Sequence, residues 1–249
     1  MDDGIDKSLA LIGDDLTFDE PTHTYEYKGV VFTSTTTVLK DYFPFDADGV
    51  AEKCSKGRNP LYAGKTVEEI KDMWMAKAQF GTDVHQVCED YLNGLFVEIQ
   101  NDREMKAFNY LQRFKFEKAL PEVRIAAPEW GISGMIDCLV KINGRYWIYD
   151  WKTDRSIAKK AFTKGDFCSG VLHGFDNCNF NKFTFQLGIY RFILENVYDI
   201  PIAGCVVVHF PEHGVAKEYT LPYHPDYVEM IIHNFVTKRD NKDLNTSET

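Results

Sequence analysis

The sequence predicts an α/β domain built on a central mixed β-sheet flanked by helices. Three observations lead there. Helix-forming patterns occupy much of the chain before residue 120 and return after 183. Between them lies a β-rich stretch, Glu122 to Thr153, punctuated by Asn143-Gly144. Strand-like runs then come back before a last helix. The order helices, strands, helix, strands, helix fits one sheet with helices packed against it.

Taken in order, residues 1–22 read as an acidic lead-in. Thr24–Tyr27 and Val30–Phe32 flank Lys28-Gly29 and predict a short hairpin. Ser34 through Thr37 precede Val38-Leu39, the signature of a helix start with hydroxyl caps. Residues 44–65 carry Pro, Gly and many polar side chains, which predicts a loop. Thr66-x-x-Glu69 is a capping-box pattern opening a helix toward Phe80. Gly81 is expected to end it, with a second helix from Thr82 to about Asn93 and a third over Arg103–Ala119. After the β-rich stretch, residues 156–182 form a long connection. A helix over Phe183–Asn196, strands at Ile202–Phe210 and Ala216–Leu221, and a last helix from Pro225 to about Lys238 complete a single domain over 23–240. Residues 241–249 read as a polar tail.

Composition narrows the function. The 249 residues are 44% hydrophobic with a net charge of −10, an ordinary globular balance. No apolar run is long enough to span a membrane. The opening Met1-Asp2-Asp3-Gly4 lacks the basic start of a secretory or transit peptide. Six scattered cysteines without a C-x-x-C suggest neither a zinc ribbon nor a disulfide framework. An intracellular setting, cytoplasmic or inside a host cell, is therefore expected. The acidity argues against a nucleic-acid partner only at first sight. Residues 1–50 hold 3 Lys and 11 Asp or Glu, so most of the charge belongs to that segment, and Lys152–Lys182 is locally basic.

The hairpin centred on Asn143-Gly144 is the most informative segment. If those two residues form the loop, the register places Asp137 directly across from Asp150 on one face, with Cβ atoms roughly 5 Å apart. Lys152 leaves from the same face. Opposed carboxylates repel unless something compensates them, and Mg²⁺ or Mn²⁺ suits oxygen ligands. A cation beside a lysine is a hydrolytic arrangement. The alternative is a pair of edge-strand charges with a surface lysine. The apolar neighbours Ile136, Leu139, Trp147 and Ile148 weigh against it, whereas a one-residue bulge would undo the opposition.

These residues resemble a known family. Asp137, twelve intervening residues and Asp150-x-Lys152-Thr153 resemble the core of the PD-(D/E)XK nuclease superfamily. Gly81-Thr-Asp-Val-His85 and Gln186-Leu-Gly-Ile-Tyr190 resemble the G-x-x-x-H and Q-x-x-x-Y helices of its RecB-type branch. With Ser34–Thr37, the set looks most like mitochondrial genome maintenance exonucleases and their phage and viral relatives, over residues 23–210. The resemblance implies a restriction-endonuclease-like core. It also implies Mg²⁺- or Mn²⁺-dependent hydrolysis of single-stranded or frayed DNA ends, in replication, recombination or repair. Carried over by position, Asp137, Asp150, His85 and the Trp151 carbonyl would hold metal, and Lys152 would orient the water. Gln186 and Tyr190 would line the DNA-facing side or brace the active strand. Glu122 competes with Glu129 for an upstream acid position, and Thr153 follows the motif lysine. Two departures stand out. Only Cys205 lies beyond the Q-x-x-x-Y helix, so no iron–sulfur cluster is expected, and Ile136 stands where the family name has proline.

Each residue also has a plainer reading. His85 and Glu89 share a helical face and can be structural or solvated. Ser34 and Thr36 can bind a phosphate or simply cap a helix. Lys159, Lys160 and Lys164 can contact DNA or sit in solvent. At the level of function, the alternatives to an exonuclease are an endonuclease or resolvase with the same site, a catalytically silent DNA-binding protein, and a small-molecule phosphatase.

Overall fold

The computed structural model describes residues 15–19 and 24–246. Residues 1–14, 20–23 and 247–249, and with them most of the acidic lead-in, lie outside the described residues. Eight strands form one mixed sheet: β1 (Leu16–Asp19), β2 (Thr24–Tyr27), β3 (Val30–Ser34), β4 (Lys118–Ala127), β5 (Ile132–Ile142), β6 (Arg145–Lys152), β7 (Ile202–His209) and β8 (Lys217–Leu221). Among the described residues six α-helices accompany them: α1 (Thr35–Leu39), α2 (Ala47–Ser55), α3 (Val67–Leu92), α4 (Asp102–Leu111), α5 (Asn179–Asn196) and α6 (Pro225–Thr246).

The meander β4-β5-β6 is antiparallel, and β7 joins β6 in parallel after the α5 crossover. β8 pairs antiparallel with β7. β3 pairs in parallel with the start of β5, on the edge that β6 occupies further along. On one face Ile136, Leu139, Ile148 and Val207 pack against Leu187, Ile193 and Leu194 of α5 and Ile231 of α6. On the other, Val140, Trp151, Val206 and Val208 pack against Val84 and Cys88 of α3 and Ala107 and Leu111 of α4. Because β6 is covered on both faces, its run Tyr146–Trp151 is apolar almost without alternation.

The turn forms as its residues dictate. Asn143 and Gly144 adopt φ of 50° and 72°, and Ile142 pairs with Arg145. The Lys28-Gly29 hairpin is present, with Tyr27 opposite Val30. Ser34 caps α1 by accepting the Thr37 N–H, and Thr66 and Glu69 complete a reciprocal capping box on α3.

Other expectations are corrected. Gly81 does not end a helix: α3 runs unbroken for 26 residues. An interior glycine costs a helix only about 1 kcal/mol, and buried Ile70, Val84 and Cys88 on either side hold the rod together. The segment 44–65 contains α2, started by the Asp46 carboxylate accepting the Gly49 N–H. The third helix stops at Leu111, and Lys118 already belongs to β4. α5 begins at Asn179, ahead of Phe183. β1 lies within the lead-in, and α6 runs on through residues read as polar tail.

Gly134, near the start of β5, has a steric cause. A Cβ there would lie 2.3 Å from Cε1 of Tyr190, whose ring packs on the strand. We expect Gly134→Ala to lower unfolding free energy by about 1–3 kcal/mol through overpacking. In urea titrations, Tyr190→Leu in the same chain should recover part of that loss. Additive losses in the double variant would refute the contact.

Candidate metal and catalytic site

The hairpin register holds from Ile142–Arg145 to Cys138–Tyr149, and there the ladder stops. Beyond it the Asp137 carboxylate replaces the missing backbone partner: its Oδ2 accepts the Trp151 N–H at 2.7 Å. The alternation of β5 breaks at the same point. Ile136 and Leu139 face one core while Cys138 and Val140 face the other. β4 breaks opposite, at Glu122, whose φ is 49°. Pro121 and Val123 pair with Cys138 and Ile136 on either side of it, so Glu122 stands across from Asp137. Three acids, Glu122, Asp137 and Asp150, therefore fall in one row over three strands. They do not share one face in a continuous ladder, as strict alternation had implied.

Helix α3 adds His85. Its Nε2 lies 2.8 Å from the Trp151 carbonyl oxygen, and its Nδ1 lies 3.5 Å from Asp137 Oδ2. A carbonyl only accepts, so Nε2 carries the proton of that bond. In the neutral ring Nδ1 then presents a lone pair to a carboxylate oxygen, and a cation between them relieves the repulsion. His85, Glu122 and Asp137 each offer a ligand atom within 4.8 Å of the others. An imidazole with two carboxylates is a donor set that could hold a divalent metal ion.

Asp150 sits apart from that trio. It keeps phase with Ile148 on the α5 side of β6 and is only 2% exposed. Its Oδ2 lies 2.5 Å from Lys152 Nζ, a charge contact without hydrogen-bond alignment, and among the described residues it has no other partner. Lys152 Nζ also donates to the Trp151 carbonyl at 3.3 Å and rests 5.2 Å from the Phe183 ring centre. The Trp151 carbonyl, expected as a metal ligand, is thus engaged by His85 and Lys152.

Electrostatics follow from this crowding. Burial, with repulsion from Asp137, Glu89 and Asp150, pushes Glu122 up to about 8. Burial likewise lifts Asp150 above the usual carboxylate range, Asp137 adding to the rise and Lys152 opposing it. Burial disfavours the Lys152 ammonium, but Asp150 and Asp137 more than offset this, and its pKa rises. The lysine therefore stays charged at neutral pH.

A cleft of about 610 Å³ opens over the site, lined by His85, Glu89, Glu122, Lys152 and Thr153 with Arg124 and Asp154. The residues Arg124, Asp154, Gln86 and Met135 carried no signal in the sequence, since each is an ordinary strand, loop or helix residue until the β4-β5-β6 register is known. Glu89 accepts from Gln86 at 3.4 Å. Glu129 is exposed and absent from the trio. Gln186 donates to Tyr190 at 3.2 Å, and Tyr190 is 4% exposed beneath Gly134, a packing that braces β5. The Ser34 hydroxyl is taken up in capping, with Thr36 Oγ1 3.1 Å away. None of Gln186, Tyr190, Ser34 and Thr36 lines the cleft.

The raised Glu122 sets the pH dependence of the metal-free protein. The folded state holds this proton while the unfolded chain releases it near the ordinary glutamate value of 4.5, so stability falls as pH rises from there to about 8. Melting in EDTA should show Tm dropping across that window, and Glu122→Gln should flatten the drop. Mn²⁺ should raise Tm more at pH 8 than at pH 5. A Tm indifferent to Mn²⁺ at pH 8 would rule out the trio as a cation site.

Among the described residues no helix is long and apolar enough to cross a membrane. No protein-family model matches the sequence, and neither does any curated protein at a significant level. Solved structures with a similar course include the crystal structure of SSO0001, at 15% identity and a TM-score of 0.41 over 96% of this chain and 86% of that one. Another is a provisionally named exonuclease from Eubacterium rectale, at 12% identity and a TM-score of 0.47 over 84% of this chain and 79% of that one.

Proposed function

We propose that the chain is a metal-dependent nuclease that hydrolyses phosphodiester bonds of DNA, acting as an exonuclease on single-stranded or frayed ends. The observation that carries this reading is the convergence, where β5 and β6 part, of the His85–Glu122–Asp137 donor set with a buried carboxylate–ammonium pair. The approach of His85 Nδ1 to Asp137 Oδ2 at 3.5 Å, with Glu122 within reach of both, fits a cation.

His85, Glu122 and Asp137 would hold the ion, and Asp150 borders them through Asp137. Bound Mg²⁺ or Mn²⁺ would supply Lewis acidity toward the phosphodiester. The remaining work belongs to the chain. Lys152, fixed between Asp150 and the Trp151 carbonyl, orients a water and balances the negative charge that grows on phosphorus. Water oxygen bonds to phosphorus and gives up a proton to solvent, one ester P–O bond breaks, and the departing oxygen takes a proton from solvent. Gln186 and Tyr190 contribute by holding β5 in place. The motif resemblance supports the same reading and suggests a role in DNA replication, recombination or repair.

In Mg²⁺ or Mn²⁺, linear single-stranded DNA should be degraded, and EDTA should abolish this. Asp150→Ala and Lys152→Ala should each lower the rate by roughly 100-fold or more. Full activity in Lys152→Ala protein would overturn the mechanism. End-labelled linear strands run beside a circular one report polarity and end requirement; cutting of the circle would make the enzyme an endonuclease.

A further inference from the structure

The cleft over the candidate site has two sides of different chemistry. Helix α3 brings the polar and acidic Thr82, His85, Gln86 and Glu89, whereas β1, β4 and β5 bring Phe18, Arg124 and Met135. Arg124 reaches the cleft through strand phase. Its neighbours Val123 and Ile125 pack into the core on the α5 face of the sheet, so Arg124 projects from the opposite face, as does its cross-strand partner Met135. The strained residue Glu122 lies two positions earlier, and both side chains open into the same space.

The Arg124 guanidinium is held in place without being neutralised. Its Nη1 donates to the Leu16 carbonyl oxygen of β1 at 3.1 Å, which ties β1 to β4 and leaves the other guanidinium N–H groups for a ligand. The residue is exposed, and among the described residues it has no ion-pair partner. The acids that share the cleft are engaged elsewhere. Glu122 belongs to the metal donor set, Asp154 accepts from the Asn179 amide at 3.1 Å, and Glu89 accepts from Gln86 at 3.4 Å. Lys152, the other basic side chain of the lining, is matched by Asp150 at 2.5 Å. Arg124 therefore carries the cleft's unmatched positive charge. A guanidinium fork fits the paired oxygens of a phosphate, and a polyanionic strand laid beside carboxylates needs such a cation to offset them.

We propose that Arg124 forms a phosphate-binding subsite on the β4 side of the cleft, taking a phosphate of the nucleic-acid strand adjoining the one to be cleaved over His85, Glu122 and Asp137. This assignment rests on the nuclease reading above and deepens it. It lays the strand between α3 and β1, with the sugar or base beside the bound phosphate along Phe18 and Met135. The acidic chain thereby gains a local positive grip on its substrate, anchored by the Leu16 carbonyl.

The test is fluorescence anisotropy of a labelled single-stranded oligonucleotide across a salt series, in EDTA and again in Ca²⁺. Arg124→Met should weaken binding by about three- to tenfold and reduce the slope of log K against log salt by about 0.7, the share of one phosphate contact on a single strand. Arg124→Lys should keep the slope and recover only part of the affinity, because the charge survives and the fork does not. Lys56→Met, which removes an ammonium already paired with Glu52, is the control for bulk charge. A residue that only tethers β1 would lower Tm when replaced and leave the slope alone. Wild-type affinity and slope in Arg124→Met would therefore overturn the subsite, as would a wild type that binds no strand in either condition. Should Arg124→Met fail to fold, wild-type affinity in Arg124→Lys is the overturning result. Metal-dependent cleavage by the wild type would in each of these cases leave the nuclease reading standing. Loss of affinity and slope without any such cleavage would keep the subsite and sink the nuclease. Strands with and without terminal phosphates separate the two sources of the phosphate: a loss confined to phosphorylated ends marks a terminal monoester, and an equal loss marks an internal diester.

Discussion

The hydrogen bond from the Trp151 N–H to the Asp137 carboxylate is the contact on which the rest of the site depends. It stands where a backbone ladder bond would otherwise continue, so it allows two central strands to part without leaving a buried N–H unsatisfied. Parting turns the Trp151 carbonyl toward His85 and Lys152 and lets Glu122 reach the same space from the next strand. A continuous sheet would have buried all three acids in a flat ladder. Here the sheet is opened at one point, and the functional groups line that opening.

The cost of the opening is electrostatic. Glu122 and Asp150 lose hydration in the core, and both shift toward the neutral form in response. A single ammonium, Lys152, offsets part of this and is kept charged by the same acids. The site is therefore unsaturated in cations on the α3 side of β6. On the α5 side Asp150 and Lys152 face each other as a matched pair. The net charge of −10 says nothing of this local crowding, because most of it resides in residues 1–50.

How much of this the sequence revealed depended on how unambiguous each local signal was. Asn143-Gly144 admits one tight turn, so the register followed from two residues. His85 was visible as a polar side chain at fixed spacing on an apolar helix. The phase of β5 was not, because Cys138, Leu139 and Val140 are all apolar and either alternation reads equally well across them. That run conceals the break at Asp137, and with it the separation of Asp150 from the trio. Glu122 and Glu129 were indistinguishable for a similar reason: only the strained backbone at 122 places its side chain, and strain leaves no trace in composition. Gly81 misled because a helix-breaking residue was read without the tertiary packing that overrides it.

The continuity of α3 has a mechanical consequence. The helix passes the end of β6 at Gly81, where a Cβ would lie 3.2 Å from Thr153 Oγ1. His85 stands one turn further on, about 6 Å along the axis. Any side chain at 81 would need Thr153 to give by a few tenths of an ångström or push the helix outward, and a shift passed to the imidazole would be felt at the donor set. The glycine that fails to break the helix is thus what lets the rod run close enough to β6 to deliver its histidine.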